Sequence, residues 1–333
     1  MLPGVLLACA LLLAAAAVSA QSPDASTGDA AVGASALSAR FQVLHTASLP
    51  GLSLLRSSLA PPARYRVLLV PGSGCDSLAP SADRLAAGLL HAQVVLLQKP
   101  HLRQPGATAA AAVAAAADDC PADFVRADAL PAWADTARQL AAQALQHTNP
   151  KLPLVLVGLS EGAELLPTLA AAYPQAVLLV LVGHAGLDPA ALGSLQARRS
   201  GQTAAWQQLQ ADTAPGRAPQ DALLQGRHWR YWQALWTWPL AAPLLAAPQP
   251  LLQVWGADDA LLPQAAFEAF RQLAQGRAAG YCGWRFDGAD HQLRSTSRSP
   301  SHSHAADHLR TVWAWLENAG RSAGPWLIDC QPP

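Results

Sequence analysis

Six short apolar segments punctuate this chain, and most are followed by a stretch of helical periodicity. They are Arg64–Val70, Gln93–Gln98, Leu152–Val157, Val177–Val182, Leu251–Trp255 and Tyr281–Phe286. Near-continuous apolar runs of this length belong to strands buried on both faces. Alternated with amphipathic helices, they specify a mostly parallel sheet covered on each side, an α/β architecture. The helical stretches are 79–91, 130–147, the segment through Tyr173, 263–273 and 305–318. Ahead of the alternation, Phe41–Ser48 and Leu52–Leu59 flank a Leu49-Pro50-Gly51 turn signal, as in a β-hairpin. Residues 187–248 break the pattern. They hold no strong strand, several prolines and five of the eleven tryptophans, and are expected to form a helical cap inserted above the sheet.

The chain has 333 residues, and its start reads as a removable export signal. Val5–Val18 is apolar and Val18-Ser19-Ala20 offers a small-residue cleavage site, so residues 1–20 are expected to be removed. The run is shorter than the ~20 apolar residues of a membrane span. Residues 21–40, rich in Ala, Ser and Gly, form a leader, and 41–333 one large α/β domain carrying the cap. Lys+Arg and Asp+Glu balance at 22 each, with no basic stripe, which argues against nucleic acid as a partner.

The sharpest local feature is Gly158-Leu159-Ser160-Glu161-Gly162, set between the strand LPLVLV and the helical AELLPTLAAAY. A serine on such a strand-to-helix turn is held in a strained backbone with its hydroxyl exposed above the sheet. Flanking glycines are required where crowding chain segments leave no space for side chains. A serine hydroxyl needs a base, and the base needs an orienting acid. Gly256-Ala257-Asp258-Asp259 follows the strand LLQVW, and Gly288-Ala289-Asp290-His291 follows YCGWRF. Both lie where sites gather in parallel sheets, at the carboxyl ends of strands.

These three segments, GLSEG, VWGADDALLP and FDGADH, resemble the motifs of the α/β-hydrolase superfamily in its chain order, over residues 64–318. The resemblance implies Ser160 as nucleophile, His291 as base and Asp259 as acid, three residues past Gly256. Asp258 competes, and Asp188 is a remoter choice. It also implies an oxyanion hole from the backbone N–H groups of Glu161 and Ser73. Pro71-Gly72-Ser73-Gly74-Cys75 stands where that family commonly has His-Gly. The implied activity is hydrolysis of a small-molecule carboxylic ester through an acyl-enzyme on Ser160. Amides or short peptides are the alternative substrates, and a catalytically silent exported binding protein is the alternative role. No cofactor is implied.

With the signal gone, Cys75, Cys120, Cys282 and Cys330 remain, an even count suited to two disulfides in an exported chain. The favoured pairing is Cys75–Cys120 and Cys282–Cys330, each tying a loop or tail to a strand end. Trp229, Trp232 and Trp236 share a helical face in the cap, either packing it or forming an apolar substrate wall. His302, His304 and His308 lie in a Ser/Arg-rich stretch that reads as a solvated loop rather than a metal site, and no zinc motif is present.

Overall fold

The computed structural model describes residues 40–45, 51–103, 120–214, 216–217, 221–296, 307–321 and 326. The expected signal, the leader up to residue 39, the alanine tract, His302, His304 and Cys330 lie outside them. The strands are β1 (Gln42–His45), β2 (Leu52–Arg56), β3 (Tyr65–Val70), β4 (Ala92–Gln98), β5 (Leu154–Leu159), β6 (Ala176–Val182), β9 (Leu251–Gly256) and β10 (Tyr281–Phe286). The short pair β7 (Leu223–Leu224) and β8 (Arg227–His228) lies apart from the main sheet.

The eight-stranded sheet has the order β1-β2-β4-β3-β5-β6-β9-β10. β2 pairs antiparallel with both β1 and β4, and all other pairings are parallel. The hairpin read from the sequence is therefore the edge of the sheet, with His45 opposite Leu52.

Strand residues are divided between two cores by the period of the pleat. Leu68, Val70, Leu154, Leu156, Leu179 and Leu181 face one side. Val67, Leu69, Val155, Val157, Val180 and Val182 face the other. On the first side lie α3 (Leu130–Leu145), burying Leu130, Trp133, Ala134, Ala137, Leu140 and Ala141, and α9 (Gln264–Ala274), burying Phe267 and Phe270. On the second lie α1 (Ala82–Leu85) and α10 (His308–Ala319), the latter through Leu309, Val312, Trp313 and Leu316. The spacings of three and four on α3 and α10 are those of an amphipathic helix. Each fully buried aliphatic or aromatic side chain contributes about 1.5–3 kcal/mol.

The helix expected over 79–91 is reduced to a 3-10 turn, Ala79–Ser81, and the four residues of α1. Gly88, at φ 101°, turns the chain out of helical conformation and packs against Trp313. A further short helix, α2 (Ala122–Ala127), precedes α3. Between β6 and β9 come α5 (Pro189–Arg199), α6 (Thr203–Asp212), α7 (Trp229–Thr237) and α8 (Ala241–Ala246). Trp206, Leu209, Tyr231, Trp232 and Leu235 give this insertion a hydrophobic cluster of its own. Among the described residues no helix is long and apolar enough to cross a membrane.

Candidate active site

Ser160 stands at the junction of β5 and a 3-10 turn, Ser160–Leu165, that leads into α4 (Leu166–Ala172). Its φ of 49° is a left-handed conformation that non-glycine residues adopt at a cost, and such strain concentrates at functional sites. The neighbouring glycines make the turn possible. A Cβ on Gly158 would collide with the backbone of Ala163, and one on Gly162 with the carbonyls of Val70 and Pro71. Gly72 brings the loop after β3 against Ser160, a Cβ there lying 3.0 Å from that of Ser160.

A hydrogen-bonded chain runs from Ser160 Oγ to His291 Nε2 at 3.0 Å, and from His291 Nδ1 to Asp259 Oδ2 at 2.8 Å. The Asp259 carboxylate is buried, and its other oxygen accepts from the backbone N–H of Leu261 at 2.8 Å and Leu262 at 2.9 Å. An acceptor-only carboxylate fixes the proton on Nδ1, which leaves Nε2 free to accept from the serine hydroxyl. His291 reaches this position because Gly256, at the end of β9, leaves space for the carbonyls of Ala289 and Asp290. Gly183, at φ 61° after β6, similarly lies against the His291 carbonyl.

The two competing carboxylates are engaged elsewhere. Asp258 is exposed and accepts from Thr296 Oγ1 at 2.5 Å. Asp188 accepts from the backbone N–H of Leu240 and Ala241 at the start of α8.

Ser73 lies in the loop after β3, followed by Gly74 at φ 110° and by Cys75, which is disulfide-bonded to Cys120 with a Cα separation of 5.6 Å. Cys282 is buried in β10, while its expected partner, Cys330, lies outside the described residues. Trp232 and Trp236 stack on each other and meet Trp206 edge-on, so both contribute to the insertion's own core. Trp229 sits outside that cluster, near His228 and beneath the Arg230 guanidinium. His308 opens α10 with its ring against Phe286. Among the described residues no group of three or more metal-ligating side chains converges.

One part of the site escaped sequence reasoning. The Glu161 side chain points into a buried cluster of charges. Its Oε1 receives Lys99 Nζ at 2.5 Å and its Oε2 receives the Tyr231 hydroxyl at 2.9 Å. Lys99 also donates to Asp128 at 2.9 Å, and Asp128 pairs with Arg227, whose guanidinium lies over the Tyr231 ring. Burial lowers the pKa of Lys99 and of Arg227 and raises that of Tyr231. Beneath lies Glu164, whose carboxyl burial pushes well up, with Glu161 adding to the effect. Its neighbour His184, 3.5 Å away, is driven down to about 3 by burial and then by His291. Lys99, directly after the apolar run of β4, was the one legible signal: a charge at the carboxyl end of a buried strand.

Compared by sequence, no protein-family model and no curated protein matches the chain. Compared by structure, it is similar to Est1E from Butyrivibrio proteoclasticus, at TM-score 0.52 and 13% identity, over 84% of this chain and 96% of that one. It is also similar to a highly thermostable carboxyl esterase from Bacillus coagulans solved with glycerol, at TM-score 0.54 and 14% identity, over 84% and 98%. A lipase in its open form aligns at TM-score 0.55 and 12% identity, over 85% and 100%. Identities this low show the fold alone, an α/β-hydrolase fold.

Proposed function

We propose that this chain is an exported serine hydrolase that cleaves carboxylic esters through an acyl-enzyme on Ser160. The observation that carries the reading is the hydrogen-bonded chain from Ser160 Oγ through His291 to the buried carboxylate of Asp259. Ser160 Oγ attacks the ester carbonyl carbon while its proton passes to His291 Nε2. The oxygen that gains the negative charge is met by the N–H groups of Glu161 and Ser73. Collapse breaks the bond to the alkoxy group, which leaves with the proton from Nε2. Water then repeats the sequence on the acyl-enzyme and releases the acid. Asp259 holds the ring in the needed tautomer and stabilises the imidazolium formed in each half-reaction. Export is supported by the apolar run Val5–Val18 with its cleavage site, and by the Cys75–Cys120 disulfide.

The test is labelling with a fluorophosphonate probe, followed by turnover of p-nitrophenyl esters and of the matching anilides. Labelling of wild-type protein at Ser160 with faster ester than anilide turnover supports the reading. Labelling with the reverse preference makes the chain an amidase or peptidase. Absence of labelling in correctly folded protein makes it a silent scaffold.

A further inference from the structure

Glu161 directly follows the proposed nucleophile, so its buried carboxylate belongs to the same residue as the N–H that is proposed to meet the developing negative charge. A carboxylate alone there would oppose that charge, because a buried site screens it poorly. The side chain is not alone. Lys99 from the end of β4 and Tyr231 from α7 each hold one of its oxygens. Asp128 and Arg227 complete the cluster from behind, and Glu164, the other carboxyl facing it, is held toward its neutral form by burial. Three separate stretches of chain, one of them the insertion, therefore converge on the residue whose N–H is the proposed oxyanion donor.

Resting on the serine-hydrolase reading, we propose that Lys99 and Tyr231 are positioning residues that act through Glu161. Together they pin the second residue of the elbow so that its N–H keeps its aim. Lys99 also cancels a carboxylate charge that would raise the barrier to the tetrahedral intermediate. The insertion is then part of the oxyanion apparatus, and the site is complete only while Tyr231 and Arg227 are docked on the core.

The experiment measures kcat and KM for p-nitrophenyl butyrate, and the rate of fluorophosphonate labelling, in the full chain. Loss of an oxyanion donor outright costs about 10²–10³ in kcat, so a misdirected and opposed donor is expected to cost less. Lys99→Met should lower kcat and the labelling rate by roughly tenfold to a hundredfold, with KM within about twofold. Lys99→Met combined with Glu161→Gln, which removes the stranded charge, should recover most of that loss. Tyr231→Phe should lower kcat by about threefold to tenfold with the same constancy of KM. A Lys99→Met variant with near wild-type kcat overturns the proposal, as does a double variant no more active than the single one. Should Lys99→Met fail to fold by circular dichroism, Tyr231→Phe decides by the same separation of kcat from KM. If wild-type protein labels at Ser160 while these variants behave like it, the positioning proposal falls alone. If wild-type protein does not label, the serine-hydrolase reading falls first.

Discussion

Two buried carboxylates flank Ser160, and they are held in opposite ways. One oxygen of Asp259 is satisfied locally, by the backbone N–H groups two and three residues on, and the other by the His291 imidazole from the adjacent strand's loop. Glu161 is satisfied by side chains 62 residues before it and 70 residues after it, a lysine and a tyrosine hydroxyl. The first arrangement needs only the loops after two neighbouring parallel strands, β9 and β10. The second forms only when β4, the elbow and the insertion have all come together. A site can thus have one side fixed by local geometry and the other by tertiary assembly.

The sharpest way to probe this contrast begins with Ser160→Ala, which sets the scale. It should lower ester turnover by about 10⁶ and abolish fluorophosphonate labelling, measured on the purified variant. On the Asp259 side, Asp259→Asn should lower kcat by about 10⁴ with little change in thermal stability, because it alters the tautomer of His291 more than the packing. A larger loss in Asp258→Asn than in Asp259→Asn would reverse the assignment of the acid.

On the other side the effect should fall on stability. Arg227→Met leaves Asp128 with only Lys99 and is expected to cost about 3–5 kcal/mol in urea unfolding, as removal of one partner from a buried pair does. A variant as stable as wild type would show that the insertion docks without the ion cluster.

A smaller effect is expected from acid. His184 is buried, with a pKa lowered to about 3 against 6.5 in an unfolded chain. Its contribution to stability is therefore fully present above pH 6.5 and is lost as pH falls toward 3. Glu164 opposes this, since its raised carboxyl contributes at low pH and loses that contribution as pH rises. Comparison with His184→Gln isolates the histidine. Between pH 7 and pH 5 wild-type protein should lose about 2 kcal/mol more than the variant in urea melts. Parallel pH profiles would place His184 outside this role.

The same contrast explains how far the sequence could be read. The sheet was legible because strands buried on both faces are apolar throughout, and the hairpin because Leu49-Pro50-Gly51 marks its turn. Ser160, Asp259 and His291 were legible because each follows a strand end at a glycine, which leaves a local trace. The charge cluster left almost none. Asp128, Arg227 and Tyr231 lie in segments whose composition is that of any solvated loop or helix, and only the fold brings them to Glu161. The tryptophans of α7 were ambiguous for a related reason: helical spacing shows that they share a face but not what the face meets.

The glycine crossings carry a consequence for anyone who would redesign this protein. Gly158, Gly162 and Gly256 each sit where main chain touches main chain. The spacing of the serine, the histidine and the loop after β3 is therefore set in part by backbone contacts that only glycine permits. A combinatorial library that holds these three positions as glycine, and keeps Arg227 and Tyr231, is expected to retain the Ser160–His291–Asp259 arrangement while the rest of the insertion varies. One that allows even alanine at Gly256 puts a Cβ against the carbonyls of Ala289 and Asp290 and is expected to displace the loop that carries His291.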